Sequence, residues 1–190
     1  MSPSRDLAAA GYLGGFFSAA ERTAPLTRFQ RVLLTTDGTV TKILEAAADE
    51  PMEVVKLVHA LDTSNADDLD LLVGGERVLR RRVLLRGRLS GGTYLYAEAV
   101  VAVDRVDPAI LDALVATDKA IGVLLAERRT ETFREVLRID REPAGPAAAH
   151  FGVDPTAELV FRTYRIVVRG RPVVLITEKF PADLFRSLPP

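Results

Sequence analysis

A glutamate and an arginine occupy positions where the surrounding pattern asks for apolar side chains. Residues 172–181 (PVVLITEKFP) are β-branched and apolar, bounded by Gly170 and by prolines, and predict a strand. Side chains alternate along a strand, so Val174, Ile176, Glu178 and Phe180 share one face. A carboxylate among three large apolar side chains must find a cation, a hydrogen-bonding ligand or a proton, because burying it unpaired is costly. Residues 77–87 pose the converse problem. There Leu79, Val83 and Leu85 define an apolar face with Arg81 in its middle, while Arg80 and Arg82 fall on the polar face. A guanidinium in an apolar pocket is suited to clamping a carboxylate in a bidentate fork. Two plainer explanations stay open at this level: Arg81 can belong to a strand in another register, and Glu178 can be half of a structural ion pair with Arg81 or Arg162.

Composition removes most other chemistry. The 190 residues include no cysteine, so disulfides, thiolate zinc sites and cysteine nucleophiles are excluded. His59 and His150 are the two histidines and lack metal-ligand spacing. The glycine pairs 14–15, 74–75 and 91–92 lack the context of a phosphate loop. With 25 basic against 26 acidic residues the net charge is −1, which gives no reason to expect nucleic acid as a partner. No apolar run approaches the roughly 20 residues of a membrane-spanning helix. Residues 7–20 loosely imitate a signal peptide, but three glycines and a single Arg5 beside Asp6 favour an N-terminal helix or arm over 1–24. The remainder, 25–190, is expected to form one domain, in the cytoplasm, with a small molecule as partner and no membrane contact; the oligomeric state is not legible.

The elements that must position the two charges follow from periodicity and punctuation. Residues 25–35 predict a helix with Leu26, Phe29, Val32 and Leu33 at helical spacing. A turn at 35–38 follows, where Asp37-Gly38 readily supplies a positive φ, and Thr39 can cap a second helix over 40–48. This pair has the outline of a helix-turn-helix, yet its second helix carries only Lys42 against Glu45 and Asp49, unlike a DNA-reading helix. Strands are expected over 53–60, 77–88 and 93–104, the last two joined at Ser90-Gly91-Gly92. Helices are expected from Pro108 to 117 and over 119–128. A strand over 131–142 would place Phe133, Leu137 and Ile139 on one face, and 143–152 is a short alanine-rich helix or loop. Strands 158–168 and 171–180 close the chain as a hairpin turning at Arg169-Gly170. His59 is assigned to the more polar side of its strand with Val55 and Leu57, and Tyr94, Tyr96 and Glu98 form either a pocket wall or a sheet surface. The charge run 127–132 reads as solvated surface. Strand hairpins with helices segregated between them define an α+β domain: a single antiparallel sheet of about six strands with helices on one side.

Four segments in order also resemble a known family. LLTTDGTVTKILE at 33–45, VLRRRVLLRG at 78–87, IGVLL at 121–125 and LITEKFP at 175–181 are similar to motifs of the chorismate pyruvate-lyase family, in its actinobacterial, archaeal and cyanobacterial branch. The resemblance runs from about Leu26 to Phe185; Ala120 stands where the family usually has proline. It implies a chorismate lyase-like fold with an internal ligand cavity, and elimination of pyruvate from chorismate to give 4-hydroxybenzoate, with no metal or organic cofactor. It also implies that Arg81 contacts the ligand carboxylate and Glu178 its hydroxyl, with Thr39, Val40 and Thr41 in a covering flap and Ile121 and Gly122 among the binding positions. Rival readings are a stand-alone aromatic-acid binding module related to the effector domain of GntR-type regulators, or a lyase acting on aminodeoxychorismate or yielding 3-hydroxybenzoate.

Overall fold

The computed structural model of the chain describes residues 26–65 and 76–184. The arm expected over 1–24 and the acidic loop around Asp70 fall outside the described residues. Six strands form one antiparallel sheet: β1 (Met52–Thr63), β2 (Arg77–Gly87), β3 (Thr93–Ala102), β4 (Phe133–Pro143), β5 (Glu158–Val168) and β6 (Arg171–Pro181), in the order β1-β2-β3-β6-β5-β4. The predicted hairpins are β2–β3 and β5–β6. Their turns use left-handed residues, Gly91 (φ 68°) in the first and Arg169-Gly170 (φ 50° and 75°) in the second.

Four helices cover the face that carries Arg81 and Glu178. Helices α1 (Arg28–Thr35) and α2 (Val40–Ala48) bury Leu33, Leu34, Val40 and Leu44 against Leu85, Leu95, Ile139, Val160 and Phe180. Helices α3 (Pro108–Ala116) and α4 (Ile121–Glu127) bury Ile110, Leu114, Ile121 and Leu124 against Leu79, Val101, Ile166, Val174 and Ile176. The four-residue α5 (Ala148–Phe151) instead lies on the opposite face, where His150 stacks on Tyr96 with ring centres 5.7 Å apart. Tyr96 therefore belongs to the far surface of the sheet, where it donates to Glu98 at 2.9 Å, and not to a pocket wall.

Local chemistry shifts several expected details. Helix α1 begins after a capping box in which Thr27 Oγ accepts from the Gln30 N–H and Gln30 Oε1 accepts from the Thr27 N–H. Gln30 Nε2 also donates to the Ala182 carbonyl at 2.6 Å, so the buried face is Gln30, Leu33 and Leu34, and Val32 points outward. The α1–α2 turn needs no positive φ, because Thr36 Oγ accepts from the Gly38 N–H at 2.9 Å. Thr39 occupies the N-cap position of α2 without a side-chain cap bond. Ala120, at φ −66° and ψ 142°, adopts the backbone conformation that a proline would impose.

Two bulges change which side chains face the helices. One between Lys56 and Val58 sets His59 directly opposite Arg81, on the covered face, and away from Val55 and Leu57. The other, between Val136 and Arg138, separates Phe133 from Ile139. Ile139 is buried, Phe133 is exposed, and Arg134 and Val136 turn toward the helices instead.

The end of α2 is locked to the β2–β3 turn through Glu50. Its carboxylate accepts from the N–H groups of Leu89 (2.7 Å) and Ser90 (3.0 Å) and from the hydroxyls of Ser90 (2.6 Å) and Tyr94 (2.8 Å). A Cβ on Gly87 would lie 2.2 Å from Glu50 Oε1, so a larger residue there would push the carboxylate off these partners. These hydrogen bonds, Ser90's first, draw the carboxyl from 4.5 down to about 2. A depressed folded pKa contributes stability that is complete above the unfolded value and lost as pH falls through the folded one. The stability advantage of wild type over Glu50→Gln, read by urea unfolding, is therefore expected to shrink between about pH 4.5 and about pH 2. A difference independent of pH would contradict the assignment.

Candidate active site

The sheet register brings the two misplaced charges to one surface. Arg81 on β2 lies opposite Ala99, and Glu178 on β6 lies opposite Ala97, so the two charges flank β3 from either side. Neighbouring strands are about 4.8 Å apart and the two positions are staggered by two residues along β3, which sets the Arg81 and Glu178 backbones roughly 12 Å apart. Between them the floor is made by Ala97 and Ala99, which leave room above the sheet. A small cavity of about 60 Å³ occupies that room, under the α1–α2 turn and the start of α4. All seven residues singled out from the sequence line it: Arg81, Glu178, Thr39, Val40, Thr41, Ile121 and Gly122. Apolar Val83, Leu85, Leu95 and Ile176 complete much of the wall.

Arg81 and Glu178 do not pair with each other. Glu178 accepts from Arg162 Nε at 2.8 Å and from the Tyr164 hydroxyl at 3.1 Å. Arg162 itself is 1% exposed, donates from Nη1 to the Thr36 carbonyl at 2.6 Å, and lies 4.6 Å from the Tyr164 ring centre. The structural ion pair foreseen for Glu178 thus exists, with Arg162, and its carboxylate still borders the cavity. Burial raises the Tyr164 phenol far above its ordinary value, helped by the Glu178 charge, so it stays a donor.

Arg81 is different. It is 4% exposed, its Nη2 donates to the Lys119 carbonyl at 3.3 Å, and its Nε has no partner. No carboxylate pairs with it among the described residues; Asp118, the nearest influence, is engaged by Lys56 at 3.0 Å. Burial lowers the Arg81 pKa, an effect that the Asp118 charge partly opposes. His59, across the strand pair, is lowered first by burial and then by Arg81 and Lys56, and both its ring nitrogens are buried without partners. It therefore adds no positive charge at neutral pH.

Sequence reasoning missed Arg134. It lines the cavity from β4, donates to the Asp37 carbonyl from Nη1, and approaches the start of α4, where a Cβ on Gly122 would lie 3.5 Å from its Nη2 and 3.6 Å from Thr39 Cγ2. The signal was hidden by the β4 bulge. Among the described residues no three His, Cys, Asp or Glu side chains come together as a metal site, and no helix is long and apolar enough to cross a membrane. What this arrangement can do is hold a flat, anionic molecule: a guanidinium at one end, a carboxylate acceptor further along, and apolar walls between.

The fold is that of the effector domains of GntR-type regulators. The effector domain of PhnF from Mycobacterium smegmatis superimposes with a TM-score of 0.61 at 15% identity, over 77% of this chain and 90% of that one. The ligand-binding domain of a GntR-family regulator from Bordetella bronchiseptica gives 0.55 at 18% identity, over 70% and 86%. Sequence narrows this class. Residues 34–188 match the family described as chorismate pyruvate-lyase Rv2949c-like. The chain is 31% identical over 178 residues to the chorismate pyruvate-lyase of Mycobacterium tuberculosis, covering 91% of this chain and 89% of that protein. It is 33% identical over 173 residues to that of Mycobacterium leprae, covering 89% and 81%. The chain belongs to the Rv2949c-like chorismate pyruvate-lyase family.

Removing Arg162 would leave the Glu178 carboxylate buried without its cation. Arg162→Met is expected to destabilise the fold by about 3–5 kcal/mol in denaturant titration, with Arg162→Met/Glu178→Leu recovering most of that loss. A single-variant cost below about 1 kcal/mol would show the pair to be dispensable to folding.

Proposed function

We propose that the protein is a chorismate pyruvate-lyase that converts chorismate to 4-hydroxybenzoate and pyruvate without metal or organic cofactor. The observation that carries this reading is Arg81: a buried guanidinium with an unpartnered Nε and no carboxylate of its own among the described residues, facing the cavity that Glu178 also borders. Family membership supplies the substrate class, since the curated relatives carry the chorismate pyruvate-lyase name.

In this reading Arg81 clamps the ring carboxylate, and Glu178 accepts a hydrogen bond from the ring hydroxyl. Ala97 and Ala99 leave space for the ring itself. In the reaction the C–H bond at the hydroxyl-bearing carbon breaks, its electrons complete the aromatic ring, and the neighbouring ether C–O bond breaks. The leaving group is the enolate of pyruvate, which then takes up a proton. Aromatisation drives the step. The chain's task is to hold the reactive conformer in a dry, preorganised site. Thr39, Val40 and Thr41 from one helical turn, with Ile121 and Gly122 from the other, cover the ligand and keep water from it. Glu178, fixed on one oxygen by Arg162 and on the other by Tyr164, orients the hydroxyl and is placed near the proton that leaves.

A binding module would share the fold with the GntR effector domains but would release no product. The test is pyruvate formation from chorismate, read with coupled lactate dehydrogenase, and chromatography of the aromatic product. Arg81→Ala is expected to raise KM at least tenfold, the loss of about one charge-assisted hydrogen bond. Glu178→Gln is expected mainly to lower kcat. Absence of pyruvate at high concentrations of wild-type protein would sink the lyase reading; 3-hydroxybenzoate as product would correct its regiochemistry, and turnover of aminodeoxychorismate in preference to chorismate would correct its substrate.

A further inference from the structure

The charges on the cavity wall do not cancel. Glu178, Arg81 and Arg134 are its ionisable carboxylate and guanidinium groups, and Glu178 is already matched by Arg162 behind it. Two guanidiniums are left without a carboxylate among the described residues, Arg81 and Arg134. Arg134 spends one donor on the Asp37 carbonyl, which leaves its remaining N–H groups free to meet a ligand. Chorismate has two carboxylates, one on the ring and one on the enolpyruvyl side chain. The aromatic product keeps only the first.

The wall offers as many unpaired guanidiniums as that substrate has carboxylates, and it sets them on either side of Glu178. Reading along β2-β3-β6-β5-β4, Arg81 comes first, Glu178 next and Arg134 last. With the ring carboxylate on Arg81 and the hydroxyl at Glu178, the enolpyruvyl ether leaves the ring carbon next to the hydroxyl, and its carboxylate, carried out beyond the ring, would meet the remaining guanidinium on the wall, Arg134. We propose that Arg134 is the second anion anchor of the site, holding the enolpyruvyl carboxylate and so distinguishing the dianionic substrate from the monoanionic product. This rests on the chorismate reading above. Because Arg134 also holds the α1–α2 turn through Asp37 and meets Gly122 at the start of α4, substrate charge and closure of the cavity mouth share one side chain.

The inference is tested by comparing wild type, Arg134→Gln and Arg134→Lys for pyruvate release from chorismate and for calorimetric binding of 4-hydroxybenzoate. Arg134→Gln is expected to lower kcat/KM for chorismate by about 10- to 100-fold, the range for one charge-assisted hydrogen bond, while 4-hydroxybenzoate affinity changes by less than about threefold. Arg134→Lys, which keeps the charge and loses the fork, should fall between. Equal losses for both ligands would mean that Arg134 only tethers the turn, and unchanged values would mean that it touches neither carboxylate; both overturn the proposal. If Arg134→Gln does not fold, Arg134→Lys is read alone by the same criterion, a selective loss for chorismate supporting the proposal and any other pattern overturning it. A wild-type protein that forms no pyruvate would instead remove the underlying lyase reading.

Discussion

The buried pair between Arg162 and Glu178 is the constraint from which the rest of the site follows. Each charge taken alone into this interior would cost several kcal/mol, and together they are tolerable because both carboxylate oxygens and two of the three guanidinium nitrogens are met, Arg162 Nη2 alone lacking a partner among the described residues. Tyr164 satisfies the second carboxylate oxygen, and the Thr36 carbonyl takes one guanidinium arm. The pair therefore dictates the position of three separate segments: the facing strands β5 and β6, and the turn between α1 and α2. A mere structural bridge would need none of the open space beside it. Here the carboxylate is pinned from behind and left accessible in front, which turns a stability liability into a fixed acceptor.

Small residues do as much as charged ones. Ala97 and Ala99 lie on the central strand between Arg81 and Glu178, where larger side chains would fill the cavity and bring the walls together. Their neighbours Val83, Leu85, Leu95 and Ile176 are of ordinary core size, so the void is local and has a definite length. Covering that void with two helical turns, and not with a long helix, puts backbone as well as side chains over the cavity.

The two charges that organise the site were legible because they break a period-2 pattern that is otherwise regular along β2 and β6. The hairpins were legible from their glycines. What resisted sequence reading was phase. A bulge adds one residue to a strand without any compositional mark, and every side chain beyond it changes face. In β4 the slip between Val136 and Arg138 meant that Phe133, aligned on paper with Ile139, lies outside, and Arg134 lies inside. In β1 the slip after Lys56 moved His59 across to Arg81. The buried face of α1 was misread for another reason: Gln30 is polar, and its burial depends on a partner, the Ala182 carbonyl, that is 152 residues away.

The turn between α1 and α2 is held to the sheet at consecutive residues, Thr36 by Arg162 and Asp37 by Arg134, both through carbonyl oxygens that accept from guanidinium groups. Such a lid is fastened electrically and not by grease. Only Arg134 of these two guanidiniums lines the cavity, so one fastening of the turn is shared with the void beneath it while the other is sealed in the core. Added salt therefore screens the exposed Arg134 fastening more than the buried Arg162 one, so the turn has one salt-sensitive and one salt-resistant attachment.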